Sequence, residues 1–218
     1  MPQSDRPLSS FSPSNFGAEA YFQQGIELSK IGQYEAAIAS FSKAVEIQPD
    51  FAEAWNDRGI ALNDLGQYED AVHSYDRAIA SQPNLHQAWY NRGIALGNLG
   101  DYEAAIASWD KAIALNSNFA EAWFNRGCAM GNLEHYNGAI ASWDKAIALK
   151  PDYAAAWFSK ACIYAVQSEL ELALVNLKSA IDCNPAVYCR LAKANPAFAG
   201  LRQDSRFLEL LENTSGFV

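Results

Sequence analysis

Basic residues are scarce in this chain, with 16 lysines and arginines against 25 aspartates and glutamates, a formal net charge of -9. Little Lys/Arg is left over to neutralise phosphates, which argues against nucleic acid and equally against an anionic membrane surface. The balance favours a basic or neutral partner. Long apolar runs are also missing: none reaches the roughly 18 residues of a membrane helix, so no membrane insertion is expected. Met1 to Gly17 lacks the basic start and apolar run of a signal peptide. It is Ser/Pro-rich and is expected to be a flexible tail, with the protein in the cytoplasm. The four cysteines, Cys128, Cys162, Cys183 and Cys189, include no CxxC pair and fit a reducing compartment. His73, His86 and His135 share no face or ligand spacing, and no phosphate loop, GxSxG or HExxH occurs. No catalytic, metal or cofactor site is expected, and the chain is read as not an enzyme. What is present is apolar: 50% hydrophobic residues, enough for a sizeable core and unlike a disordered chain.

Those residues recur with one period. Trp55, Trp89, Trp123 and Trp157 are each 34 residues apart, and Tyr21 extends the series backward. Gly25, Gly59, Gly93 and Gly127 keep the same spacing, with Ala161 next. So do Ala37, Ala71, Ala105, Ala139 and Ala173, and the series from Ala44 to Ala180. Pro49, Pro83, Pro151 and Pro185 close the copies, with Ser117 in the third. A fixed period of this length marks a repeat architecture.

Each copy divides into two amphipathic helices. In the third, Trp89, Ile94, Leu96 and Leu99 lie near helical spacing over about His86 to Leu99. Gly100 suits a left-handed cap, and Asp101 suits the N-cap of a second helix reaching about Leu115. Gly66 and Gln67 take this part in the second copy. Glu134 replaces the glycine in the fourth, which predicts a less well defined turn. Gly93 and its equivalents sit inside a helix, at ~1 kcal/mol each relative to Ala. That cost implies close approach of the paired helix, with Ala105 and Ala112 opposite and Trp89 and Trp109 filling the space between repeats. One pair cannot bury its apolar face alone, and stacked pairs can.

The segment Ala88-Trp89-Tyr90-Asn91-Arg92-Gly93, followed by Leu96, Leu99-Gly100, Tyr102, Ala105, Trp109 and Ala112, resembles the tetratricopeptide repeat (TPR). The near-identical middle copies are similar to bacterial arrays, cyanobacterial ones in style. The resemblance implies an all-α, right-handed α-solenoid of five helix-turn-helix repeats over 18–187: 18–51, 52–85, 86–119, 120–153 and 154–187. A tail, 1–17, precedes it, and capping helices and a tail, 188–218, follow. There, Tyr188 to Ala194 is predicted as a further helix, Pro196 opens a loop or helix, and Asp204 caps Ser205 to Glu212. The run from Asn195 to Leu211 resembles a terminal element that covers the hydrophobic end of such arrays.

In this family the first helices line a concave groove through positions two, five, six and nine of each copy. The implied partner-binding residues are Phe22, Gln23, Asn56, Asp57, Tyr90, Asn91, Phe124, Asn125, Phe158 and Ser159. Amides that donate and accept suit a peptide backbone, and aromatics add rigid contact. Alternatively, Asn91 and Asn125 bond only their neighbours. The family's carboxylate-clamp subclass needs Lys and Asn where this chain has Glu, aromatics and Ile or Cys, so that role is rejected. Arg58, Arg92, Arg126 and Lys160 at position seven are expected to pair with Asp76, Asp110 and Asp144, for example Asp110 with Arg92 or Arg126. Cys128 and Cys162 read as small buried hydrophobes. The implied function is an adaptor or scaffold that binds a partner peptide or helix and assists assembly or regulation of a larger complex. The alternatives are a self-associating structural protein and a non-catalytic subunit of an enzyme complex.

Overall fold

The computed structural model describes residues 13–212, which form α-helices, one 3-10 helix and turns, with no strand among them. The chain divides into two compact units, 1–115 and 116–218. In the first, α1 (Pro13–Lys30), α2 (Tyr34–Ile47), α3 (Ala52–Asp64), α4 (Tyr68–Ser81), α5 (His86–Asn98) and α6 (Tyr102–Leu115) pack as successive pairs, and each second helix also meets the next first helix. In the second, α7 (Ala120–Asn132) pairs with α8 (Tyr136–Leu149) and α9 (Ala154–Val166) with α10 (Leu170–Cys183). There α11 (Pro185–Ala194) and α12 (Ser205–Glu212) lie against α10, and a 3-10 helix at Pro196–Leu201 lies against α9.

The expected tail is shorter than its stated bounds. Residues 1–12 lie outside the described residues, while 13–17 are the start of α1, where Pro13 suits the first helical position. Likewise α11 opens at Pro185, before the expected Tyr188. Asn184 caps it by accepting from the Val187 N–H at 3.3 Å, and Pro185 again occupies the first turn.

Why glycine recurs inside the first helices is steric. A Cβ on Gly59 would lie 2.5 Å from the ring of Tyr75, which is 1% exposed. Gly25 faces Phe41, Gly93 faces Trp109 and Gly127 faces Trp143 at the same 2.5 Å. In the last copy Ala161 and Leu177 take these two places in one buried cluster. A missing methyl and a large ring are therefore matched within each copy.

The turns are matched in another way. Gly32, Gly66 and Gly100 have φ of 74°, 75° and 82°. The next residue's N–H reaches back to a helix carbonyl, as in Gln67 to Leu62 at 2.9 Å and Asp101 to Leu96 at 3.0 Å. The turn at Glu134 is not less defined, contrary to the sequence expectation. Glu134 adopts φ 59° and His135 N–H still donates to Met130 at 2.9 Å. Ser168 does the same at φ 63°. The hydrogen bonds of the turn hold a left-handed residue that has no glycine freedom. Asp101 caps α6 through the Ala104 N–H at 3.1 Å, and Asp204 accepts from the Arg206 N–H at 2.9 Å. Gln67, His135 and Glu169 make no side-chain cap bond.

The periodic tryptophans do not fill the space between repeats alike. Trp109 and Trp143 are buried, and their indole N–H groups donate to the carbonyls of Tyr90 and Phe124 at 3.2 Å. Trp55, Trp89, Trp123 and Trp157 are half-buried and donate six residues backward, to Pro49, Pro83, Ser117 and Pro151, at 2.9–3.2 Å. An indole needs a partner for its N–H, and this one fastens the loop that enters each first helix.

Candidate protein-binding face

The position-seven cations tie α3, α5, α7 and α9 to neighbouring helices. Arg58 donates to Ser74 at 2.6 Å and to Ser42 at 3.0 Å. Arg92 donates to Ser108 at 2.7 Å and pairs with Asp76 at 2.7 Å. Arg126 donates to Ser142 at 2.7 Å, and Lys160 pairs with Asp144 at 2.5 Å. Cation–carboxylate pairing within or between adjacent copies was expected, and Arg92 takes Asp76 of the preceding copy as Lys160 takes Asp144. On Arg92 the serine of its own copy takes Nη1 and the aspartate of the preceding copy takes Nε. The carboxylates are half-exposed, 51% for Asp76 and 55% for Asp144, so these are not fully buried pairs.

With the cations turned away, one face of each first helix is left to the predicted binding residues. Two kinds of packing use part of them. Phe22 packs on Phe41 at 5.8 Å and Phe51 at 4.7 Å between ring centroids. Phe124 stacks on Tyr153 at 4.8 Å, and Phe158 meets Tyr188 at 5.3 Å and Phe198 at 5.7 Å. Tyr90 is half-buried, with its carbonyl taken by Trp109. Phe22 and Phe124 are thus half-buried against the end of their own copies, and Phe158 against the elements that follow the last one. Asn56 stands at the aromatic position of the second copy, whose last residue is Leu85, and it is 8% exposed. Its Oδ1 accepts from Asn91 Nδ2 at 3.0 Å, and its own Nδ2 donates to Asp57 Oδ1 at 3.0 Å. The alternative in which Asn91 bonds its neighbour therefore holds for one donor of that amide.

The polar residues of these faces differ in exposure between the units. In the first, Glu19, Gln23, Glu53 and Gln87 are exposed and Asp57 is half-buried. Burial pushes the Asp57 carboxyl above its ordinary value, the Asn56 hydrogen bond lowers it, and Glu53 raises it again. In the second unit, Glu121 is exposed, while Asn125, Cys128, Ser159 and Cys162 are half-buried. Cys128 and Cys162 are less enclosed than expected, yet burial pushes their thiols up to about 11 and about 12. The acidic pair Glu53 and Asp57 was not singled out by sequence reasoning. The signal that could have found it is the lone asparagine at an otherwise aromatic position.

Tetratricopeptide-repeat models match residues 22–86, 57–96, 86–119 and 120–153, together more than half of the 218-residue chain. The chain belongs to the tetratricopeptide-repeat family. No curated protein sequence matches it. Among solved structures, MamA is similar at 25% identity and TM-score 0.72, over 74% of this chain and 95% of that one. MamA 41-end from Desulfovibrio magneticus RS-1 is similar at 20% identity and TM-score 0.74, over 82% and 99%. YrrB, a TPR protein with an unusual peptide-binding site, is similar at 23% identity and TM-score 0.69, over 84% and 100%. As a TPR chain this is an all-α protein-interaction module, and none of its described helices is long and apolar enough to cross a membrane.

Proposed function

We propose that this TPR protein is an adaptor or scaffold whose first helices hold a peptide or helix of a partner protein. The observation that carries the reading is the division of labour on those helices. Their glycines, tryptophans and position-seven cations are consumed by packing, while Gln23, Glu53 and Gln87 in the first unit and Glu121 in the second stand exposed. Of the predicted contacts, Gln23, Asp57, Asn91, Asn125 and Ser159 offer hydrogen bonds, and Phe22, Tyr90, Phe124 and Phe158 offer apolar edges. Asn56 supports them from beneath. Assembly or regulation of a larger complex, in a bacterial cytoplasm, is the proposed setting. The acid excess supports a protein partner over nucleic acid, and a non-catalytic role follows from side chains committed to packing. An affinity of roughly micromolar suits such a face.

The test is retention of a partner from native extract by wild type and by Gln23→Ala, Glu53→Ala, Gln87→Ala, Glu121→Ala combined. These side chains are exposed, so the variant keeps the fold that Phe124→Ala would damage by unstacking Tyr153. Loss of one specific protein from the folded variant establishes the face. Equal retention moves the site elsewhere, and a mass that rises with concentration and no partner favours self-association.

A further inference from the structure

In the first unit, the open face has a built centre. Asn91 donates to Asn56, and Asn56 donates to Asp57, so two amides in series end on one carboxylate. Asn56 is 8% exposed, which leaves its amide little freedom to turn. The Asp57 carboxylate is held in place, with acceptor capacity beyond the one bond. Glu53 sits one turn earlier on the same face of α3 and is exposed. No lysine or arginine among the described residues pairs with either acid. Five cations of the first unit are engaged with other groups: Arg58 on Ser42 and Ser74, Arg77 over the Trp55 ring at 4.8 Å, Arg92 on Asp76, Lys30 on Glu27 and Lys43 over Tyr21. A partly desolvated carboxylate beside a like charge is unfavourable until a cation meets it. A guanidinium or ammonium brought by a partner would supply charge-assisted hydrogen bonds there. Ile60, 38% exposed one turn further on, would take the stem of the same long side chain.

We propose that the α3 face of the first unit docks a basic partner segment, with an Arg or Lys side chain set on Asp57 and Glu53. This rests on the first-helix face being the binding face, and it adds the chemistry of the occupant. The sequence carries it only as an overall acid excess; the structure adds that Asp57 is fixed by Asn56 one turn from Glu53, with no lysine or arginine among the described residues paired to either.

The experiment uses the full chain and three capped, fluorescein-labelled twelve-residue peptides of Gly, Ser and Ala. They carry Arg, Gln or Glu at every third position. Anisotropy titrations at low salt are expected to give the Arg peptide at least about tenfold tighter binding than the Gln peptide, and the Glu peptide none. The advantage shrinks as NaCl rises. Glu53→Gln, which leaves the amide chain untouched, lowers it about threefold, and Glu53→Gln with Asp57→Asn removes it while thermal melting stays cooperative. Glu35→Gln with Glu69→Gln removes the same charge from the first turns of α2 and α4 and keeps the advantage. Equal loss in that control overturns the proposal in favour of net charge alone. Equal binding of the Arg and Gln peptides, abolished by the fourfold alanine variant, overturns the cation preference and leaves the binding face standing. Failure of every peptide while a partner is still retained from extract overturns it in the same way.

Discussion

Residues 52–85 in the first unit and 154–187 in the second share one helix-turn-helix frame and solve it with different side chains. In the former, Gly59 lies under the Tyr75 ring, Gly66 makes the turn and Arg58 bonds Ser74. In the latter, Ala161 sits with Leu177, Ser168 makes the turn at positive φ, and Lys160 bonds Asp144. Asn176, at the place of Ser74, donates to the Leu172 carbonyl at 2.7 Å and leaves its buried Oδ1 without a partner. The difference shows that the frame constrains pairs, not single residues. A glycine is required only where its partner is a ring, and drift in the last copy moved both members together.

The largest expected effect comes from splitting such a pair. Gly59→Ala drives a methyl into a buried ring with no free space around it and is expected to cost about 1–3 kcal/mol, read from denaturant midpoints. Adding Tyr75→Leu, which copies the last repeat, should recover about 1 kcal/mol or more relative to the sum of the single changes. Additive losses would mean that the two positions are not matched. A smaller effect tests the turns. Glu134→Gly should stabilise by about 1 kcal/mol by relieving a left-handed non-glycine residue, and Gly100→Ala should destabilise by a similar amount. Opposite signs at equivalent positions are the outcome to look for.

The smallest effect is a pH dependence confined to the second unit, where position nine changes from Ile26, Ile60 and Ile94 to Cys128 and Cys162. These thiols are pushed up to about 11 and about 12 from an ordinary 9.0. Below pH 9 both states hold the proton and the contribution is complete. As pH rises further the unfolded chain ionises first, so stability is lost progressively toward the folded values. Between pH 8 and 10, wild type should lose more stability than Cys128→Ala with Cys162→Ala. Parallel curves would count against burial as the cause.

These contrasts also mark how far the sequence could be read. A 34-residue period, the glycines under rings and the carboxylates of Asp101 and Asp204 at helix starts are local or periodic signals, and each leaves a trace in one chain. The left-handed Glu134 leaves none, since the turn's backbone hydrogen bonds impose its conformation. The register of Arg92 on Asp76 was equally hidden, because several aspartates recur at the same spacing and only helix roll selects among them. The proposed binding face was legible as a set of positions, but not as a surface. Whether Phe124 stands free or lies on Tyr153 depends on how the loop before α9 folds back, which residue spacing alone does not give. Asn56 is the instructive residue: it breaks the aromatic row, and the structure makes it the support of Asp57.

The two kinds of contact around each tryptophan and glycine differ in what they demand of a neighbour. The ring and its glycine belong to one copy. The half-buried indole of the next copy asks only for a backbone carbonyl, and accepts that of Ser117 as readily as that of a proline. A gene for such a chain can therefore grow or shrink by whole copies, with each new junction closed by an acceptor every copy supplies. A crossover inside a copy that joins the last repeat to another sets Ala161 against a ring or a glycine against Leu177, giving a collision or a void.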